Sequence, residues 1–199
     1  MKGPVPSHRC HFCTSSIRGN RGRRFFNAED RWTKERGSWF SMSEKELLEG
    51  MKAPDFTVPV DGKEFNLYVQ LGRGPVVLYF YPKDFTAGCT AEACEFRDSI
   101  GQFRSKDAFV IGVSGDSSTR HKQFAERHGL DFMLISDAEG SLRDLYGVKT
   151  TLGFIPGRTT FVIDRDGTIV RKYSSQLHPK SHVNESLDAI TDIKQHNPE

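Results

Sequence analysis

The sequence predicts a mixed α/β sheet with helices on both faces. Three observations predict it. Residues 76–81 (VVLYFY) form an unbroken β-branched and aromatic run, the pattern of a strand buried on both sides. Shorter runs at 110–114 and 132–135 alternate with segments whose apolar residues recur at helical spacing. The chain then closes with two strand-like runs joined by Asp166-Gly167 and a last helical stripe.

The elements follow in order. Residues 53–60 alternate apolar and polar side chains and meet the turn pair Asp61-Gly62, and Phe65-Asn66-Leu67 return as a short strand, which makes an opening hairpin. Residues 72–75 are a loop, and Pro82 ends the 76–81 strand. A helix starts between Thr86 and Thr90 and runs to Phe103, with Ala93, Phe96, Ile100 and Phe103 on one stripe. After the 110–114 strand, Asp116-Ser117 cap a helix reaching His128, and Gly129 suits its C′ position. Ser141 to Tyr146 is a short helix stopped at Gly147. Strands at 159–163 and 168–173 flank the Asp166-Gly167 turn, and Val183, Leu187, Ile190 and Ile193 mark a final helix ending near Lys194.

A chain of 199 residues is sized for one compact domain. Four cysteines are too few for a disulfide scaffold. No stretch approaches the roughly 18 apolar residues of a membrane-spanning helix. The net charge of +2 hides a division: residues 1–41 hold nine basic and three acidic residues, leaving residues 42–199 at −4. The mildly acidic body argues against nucleic acid as the main partner.

Residues 1–41 show neither helical nor strand periodicity and read as a disordered basic extension ahead of a domain at 42–199. Met42-Ser43-Glu44-Lys45-Glu46 looks like a natural start, so a cytoplasmic location is expected, with organellar targeting by the extension as the alternative. Cys10 and Cys13, with His8 and His11 nearby, lack the second ligand pair of a structural zinc site, and no metal is expected. His121 and His128 read as solvated on a charged helix, and His178 and His182 as too scattered to bind metal. Phosphate loops of the GxGxxG or GKT type are absent, so no nucleotide cofactor is expected.

Cys89 and Cys94 carry the chemistry. Cys89 follows a buried strand and a short loop and falls where a helix begins, a usual place for reactive groups in α/β folds. The helix dipole and the free N–H groups of the first turn favour a thiolate there. Thr86, three residues earlier, can point its hydroxyl into the same concavity. In a regular helix, positions i and i+5 have Cα atoms ~8.7 Å apart, from ~1.5 Å rise and ~100° per residue. A disulfide needs less than about 7 Å. Cys89 and Cys94 therefore cannot bond while the turn between them stays helical.

Pro82, Thr86 and Cys89 together resemble the PxxxTxxC motif of peroxiredoxins. The five-residue step to Cys94, the following Phe96-Arg97-Asp98 and the run Pro156-Gly157-Arg158-Thr159-Thr160-Phe161 are similar to the peroxiredoxin Q, or bacterioferritin comigratory protein, subgroup of atypical two-cysteine enzymes. The likeness covers about residues 45–195; Ala87 stands where proline is frequent, and the extension has no counterpart. The resemblance implies a thioredoxin-like fold and a thiol peroxidase acting on hydrogen peroxide and organic hydroperoxides without a cofactor. It implies Cys89 as the peroxidatic cysteine, oxidised to a sulfenic acid, and Cys94 as the resolving cysteine that forms an intramolecular disulfide with it. Thioredoxin or a similar dithiol would restore both thiols. Arg158 would hold the thiolate and polarise the peroxide, Thr86 would bond the peroxide, Pro82 would shield the sulfur, and the N–H groups of Gly88 and Cys89 would stabilise the developing oxyanion. Arg97 is a candidate for a supporting role, with a pairing to Glu92 or Asp98 as the alternative. A monomer is expected, since the disulfide needs no partner subunit. Two other readings keep different jobs open: a peroxide-sensing relay, and a non-enzymatic protein binding nucleic acid through its basic tail. A CxxC-type disulfide oxidoreductase fits less well, because the body has only Cx4C.

Overall fold

The computed structural model describes residues 46–150 and 156–196. The basic extension at 1–41, with Cys10 and Cys13, and the start at Met42 lie outside the described residues. Strands β1 (Thr57–Val60) and β2 (Lys63–Asn66) pair antiparallel as a small separate sheet. Their turn residues Asp61 and Gly62 both have positive φ (49° and 77°), as a two-residue hairpin of type I′ requires. The return strand starts two residues earlier than expected and ends one earlier, at Asn66. Leu67 instead opens helix α1 (Leu67–Leu71), because the Asn66 side chain accepts the Val69 N–H at 2.8 Å and caps it. Leu67 and Leu71, four apart, then bury one face of that helix.

The main sheet comprises β3 (Val76–Phe80), β4 (Phe109–Ser114), β5 (Met133–Ser136), β6 (Thr159–Ile163) and β7 (Ile169–Ser174). Their order is β5-β4-β3-β6-β7, with β3, β4 and β5 parallel and β6 and β7 antiparallel to their neighbours. Between them run α2 (Ala87–Arg104), α3 (Ser118–His128) and α4 (Ser141–Leu145), and α5 (Ser181–His196) closes the chain. The α3 boundaries obey the expected caps: Ser117 accepts the Arg120 N–H, and Gly129 takes the left-handed conformation at φ 61°.

The period of two along each strand splits the core. Leu78, Phe80, Ile111, Val113, Phe161 and Ile163 face one side, against Leu67, Leu71 and Tyr146. Val77, Tyr79, Tyr81, Val110 and Val162 face the other, against Phe96 and Phe103 of α2 and Val183 and Ile190 of α5. With apolar groups filling both sides, β3 is fully buried throughout. Its carboxyl end, beside that of β4, leads straight into the loop before α2, the helix that carries both cysteines.

Candidate active site

The loop from Tyr81 to Thr86 is pinned by buried polar contacts. The Tyr81 hydroxyl donates to Asp84 Oδ1 at 2.7 Å, and Asp84 Oδ2 lies 2.8 Å from His121 Nδ1. His121 Nε2 faces the Ile135 carbonyl at 3.2 Å. The Asp84 N–H donates to Asp116 Oδ2, and Arg120 reaches both the Asp84 carbonyl and Asp116. Phe85 is thereby held at φ 60°, a region costly for an aromatic residue, with its ring edge-on to Phe124 and under the Arg120 guanidinium. His121 was expected in solvent and is buried instead. Position 121 shares its helix face with Phe124 three residues on, and Asp84 satisfies the imidazole there. His128 is half-buried, its ring against Phe85 and Phe124.

The loop delivers Thr86 to the N-cap position of α2 in extended conformation, but its side chain makes no cap bond. The exposed hydroxyl donates back to the Lys83 carbonyl at 3.0 Å, which leaves its lone pairs toward solvent. Pro82 is half-buried at the loop's start. Gly88 and Cys89 occupy the first turn of α2, where backbone N–H groups have no carbonyl four residues back. Cys89 is buried, and its Sγ accepts a hydrogen bond from Arg158 Nη2 at 3.3 Å. A Cβ on Gly88 would meet that same Nη2 at 3.3 Å, so the small residue lets the guanidinium lie close over the helix start.

Arg158 stands just before β6 and is itself buried. The chain reaches it through Gly157, where an added Cβ would sit 2.1 Å from the Lys149 backbone oxygen. The Gly157 carbonyl accepts from Arg143 Nη1, while Arg143 Nη2 donates to the Tyr81 carbonyl, tying the two loops together. Gly157→Ala is expected to force this segment apart, lowering stability by about 1–3 kcal/mol and moving Arg158 away from Cys89. Urea midpoints and Cys89 alkylation rates measured on the same samples check both effects.

The second amine of Arg158 meets a residue that the sequence reading considered only as a candidate partner of Arg97. Nη1 donates to Glu92 Oε2, a carboxylate with no exposed surface. Glu92 lies three residues after Cys89 and so on the same side of α2. Burial drives its carboxyl up to about 8, even though Arg158 pulls the other way. Behind it stands His182 of α5, also fully buried. Its Nε2 donates to the Ser175 carbonyl at 2.9 Å, so Nδ1 is free to accept from Thr160 Oγ1 at 2.8 Å. Burial is the main cause that lowers its pKa to about 4, and the neighbouring Arg158 adds to it. At neutral pH the 3.7 Å approach of Nδ1 to Glu92 Oε1 is therefore not an ion pair.

His182 also fixes a pH dependence of stability. The unfolded chain protonates this histidine near its ordinary 6.5, whereas the fold resists protonation to about 4. Its contribution is complete above pH 6.5 and drains away as pH falls toward 4, by about 3 kcal/mol at most. Glu92, shifted upward, acts with the opposite sign between 4.5 and about 8. His182→Asn is expected to flatten the acid loss, as urea unfolding at pH 7 and pH 5 would show.

Cys94 is half-buried on α2, and the helix runs unbroken through both cysteines, each a free thiol. Arg97 does not join the Cys89 site. It pairs with Asp98, the second of its two expected partners, and donates to the His128 carbonyl at the end of α3. Among the described residues no cluster of His, Cys, Asp or Glu is placed to hold a metal ion. None of their helices is long and apolar enough to cross a membrane.

A thiol at the amino end of a helix, on this sheet and facing a buried guanidinium, belongs to the thioredoxin-fold thiol oxidoreductases. The profile of the AhpC/TSA family matches residues 50–172. The chloroplastic peroxiredoxin Q of Sedum lineare is 41% identical over 150 residues, covering 74% of this chain and 80% of that one. The chloroplastic peroxiredoxin Q of Suaeda salsa is 45% identical over 149 residues, covering 74% and 69%. The crystal structure of peroxidoxin BcpB from Mycobacterium tuberculosis superposes with a TM-score of 0.69 at 38% identity, covering 74% of this chain and 99% of that one. The chain belongs to the AhpC/TSA family and, within it, to the peroxiredoxin Q group of thiol-dependent peroxidases.

Proposed function

We propose that Cys89 is the attacking thiol, and the hydrogen bond from Arg158 to its sulfur is the observation that carries this reading. The Cys89 thiolate attacks one peroxide oxygen. An S–O bond forms, the O–O bond breaks, and the departing alkoxide or hydroxide takes a proton, leaving Cys89 as a sulfenic acid. Arg158 and the first-turn N–H groups of Gly88 and Cys89 stabilise the negative charge as it moves from sulfur to oxygen. The Thr86 hydroxyl orients the peroxide, and Pro82 keeps bulk water off the sulfur. The Cys94 thiolate then attacks the Cys89 sulfur, closing a disulfide as the S–O bond breaks and expelling hydroxide, which takes a proton from solvent to leave as water. Because α2 is continuous across both residues, its first turns must unwind for this step. A dithiol of the thioredoxin class restores both thiols through a mixed disulfide. Small peroxides, hydrogen peroxide and organic hydroperoxides alike, are the substrates, and the cycle closes within a single chain.

The coupled assay of the full chain with thioredoxin, thioredoxin reductase, NADPH and hydrogen peroxide tests this. NADPH is expected to fall in step with peroxide. A folded protein that consumes neither overturns the reading. One that is oxidised by peroxide yet ignores thioredoxin acts as a relay to another protein. For location, the chloroplastic names of the plant relatives favour the targeting reading of residues 1–41 over the cytoplasmic one. Imaging the extension fused to a fluorescent protein decides between them.

A further inference from the structure

Two acids share one base in the interior of this site. Arg158 gives Nη2 to Cys89 and Nη1 to Glu92. The other groups that bear on Glu92 are His182 from α5, which is itself hydrogen-bonded to Thr160 of β6, and Tyr79 from β3. None of these is a second cation. His182 is neutral, with its only ring proton committed to the Ser175 carbonyl, and the Tyr79 hydroxyl is buried and neutral. If Cys89 and Glu92 were both ionised, the buried cluster would carry a net negative charge, which low-dielectric surroundings oppose strongly. One anion balances Arg158, and two do not.

The geometry also shows where the extra proton belongs. Glu92 Oε2 is taken by Arg158, while Oε1 is buried with no hydrogen-bond partner among the described residues. His182 Nδ1, 3.7 Å away, has no proton to give, and its lone pair already accepts from Thr160 Oγ1. A bare carboxylate oxygen buried without a donor is costly, and a proton on Oε1 removes that charge.

We propose that Glu92 holds a proton on Oε1 while Cys89 is a thiolate and releases it when Cys89 is oxidised, so that Arg158 keeps a single counter-anion throughout. The inference rests on Cys89 being the attacking thiol. The step balances as Cys89–S⁻ + Glu92–COOH + ROOH → Cys89–SOH + Glu92–COO⁻ + ROH. Sulfur loses two electrons, the O–O bond gains them, and the proton leaving Glu92 matches the one the alkoxide acquires, whatever path joins them. Solvent supplies no net proton. The upward shift of the Glu92 carboxyl agrees in direction. The exchange has a mechanical consequence as well. Once Glu92 is charged, it takes over Arg158 and weakens the hold on Cys89 just when the start of α2 must unwind to meet Cys94.

The test uses the full chain carrying Cys94→Ser, so that oxidation stops at the sulfenic acid. One equivalent of hydrogen peroxide is mixed with it near pH 7 in weak buffer containing a pH indicator, and an infrared difference spectrum is taken in parallel. No net proton uptake is expected, together with loss of a protonated-carboxyl band and gain of carboxylate bands. Adding Glu92→Gln should remove the carboxyl signal and make the reaction take up one proton per peroxide. Uptake of one proton by the protein that retains Glu92, with no carboxyl band lost, overturns the inference even if the glutamine variant fails to fold. A glutamine variant that folds and still takes up none overturns it too. Dimedone labelling separates the two layers of argument. A labelled Cys89 without a carboxyl change sinks the proton store alone, whereas an unlabelled Cys89 sinks the assignment of the attacking thiol and the inference with it.

Discussion

Cys89→Ser is expected to reduce peroxide turnover to that of the buffer, and Cys94→Ser to leave a single turnover per chain. A serine hydroxyl at the start of α2 stays protonated near neutral pH, and an alcohol is a far weaker nucleophile than a thiolate. Removal of a nucleophile that has no substitute costs on the order of 10⁴-fold or more. Cys94→Ser is expected to behave differently. Its first equivalent of peroxide disappears at the parent rate, because Cys94 makes no contact with the Arg158 cluster, and NADPH consumption through thioredoxin then stops. The disulfide form of the parent should also exchange the amides of the first turns of α2 faster than the dithiol form, since the helix cannot close the bond intact. If Cys94→Ser cycles with thioredoxin as fast as the parent, Cys94 is a packing residue of α2 and the enzyme works with one cysteine.

The parts of this architecture that were legible in the sequence are those set by local pattern. The buried run at 76–81, the caps Ser117 and Gly129 and the Asp61-Gly62 turn each have a signal within a few residues, and each element forms where it points. Helix α1 lacked such a signal. Five residues carry little periodicity, and its stability comes from the Asn66 cap and from burial of Leu67 and Leu71 beneath the opening hairpin. The site divides along the same line. Cys89 and its loop neighbours are close in sequence, but the partners that define their electrostatics are distant: Arg158 is 69 positions from Cys89 and 66 from Glu92. The helical wheel alone would have placed Glu92 beside Cys89, and the same reasoning would have placed His121 beside Phe124 in the core. The charge of α3 concealed the second of these. No sequence rule within reach pairs Glu92 with His182, because that contact depends on how α5 settles against α2 and β6.

Arg158→Met should slow the reaction of Cys89 with peroxide by about 10²–10³-fold, the usual loss when one preorganised charge donor is removed from a reacting centre. The same variant should be alkylated by iodoacetamide more slowly at pH 7, since the sulfur loses its hydrogen-bonded cation. Breaking a buried pair by deleting one partner typically costs about 3–5 kcal/mol, because the other charge is stranded. Here the stranded partner has a way out. Burial already pushes the Glu92 carboxyl up to about 8 against the pull of Arg158, so without the guanidinium it is neutral at pH 7. The variant should therefore fold with a smaller loss than that range and lose stability as pH rises and Glu92 is forced to ionise, which urea unfolding at pH 7 and pH 9 will show. Arg158→Lys should not restore the rate. A single ammonium cannot present two fixed donors to Cys89 Sγ and Glu92 Oε2 at once, as the planar fork of Arg158 does. Rates of peroxide reduction and alkylation within a few-fold of the parent in Arg158→Met would remove Arg158 from the chemistry and leave the helix terminus as the sole stabiliser of the thiolate.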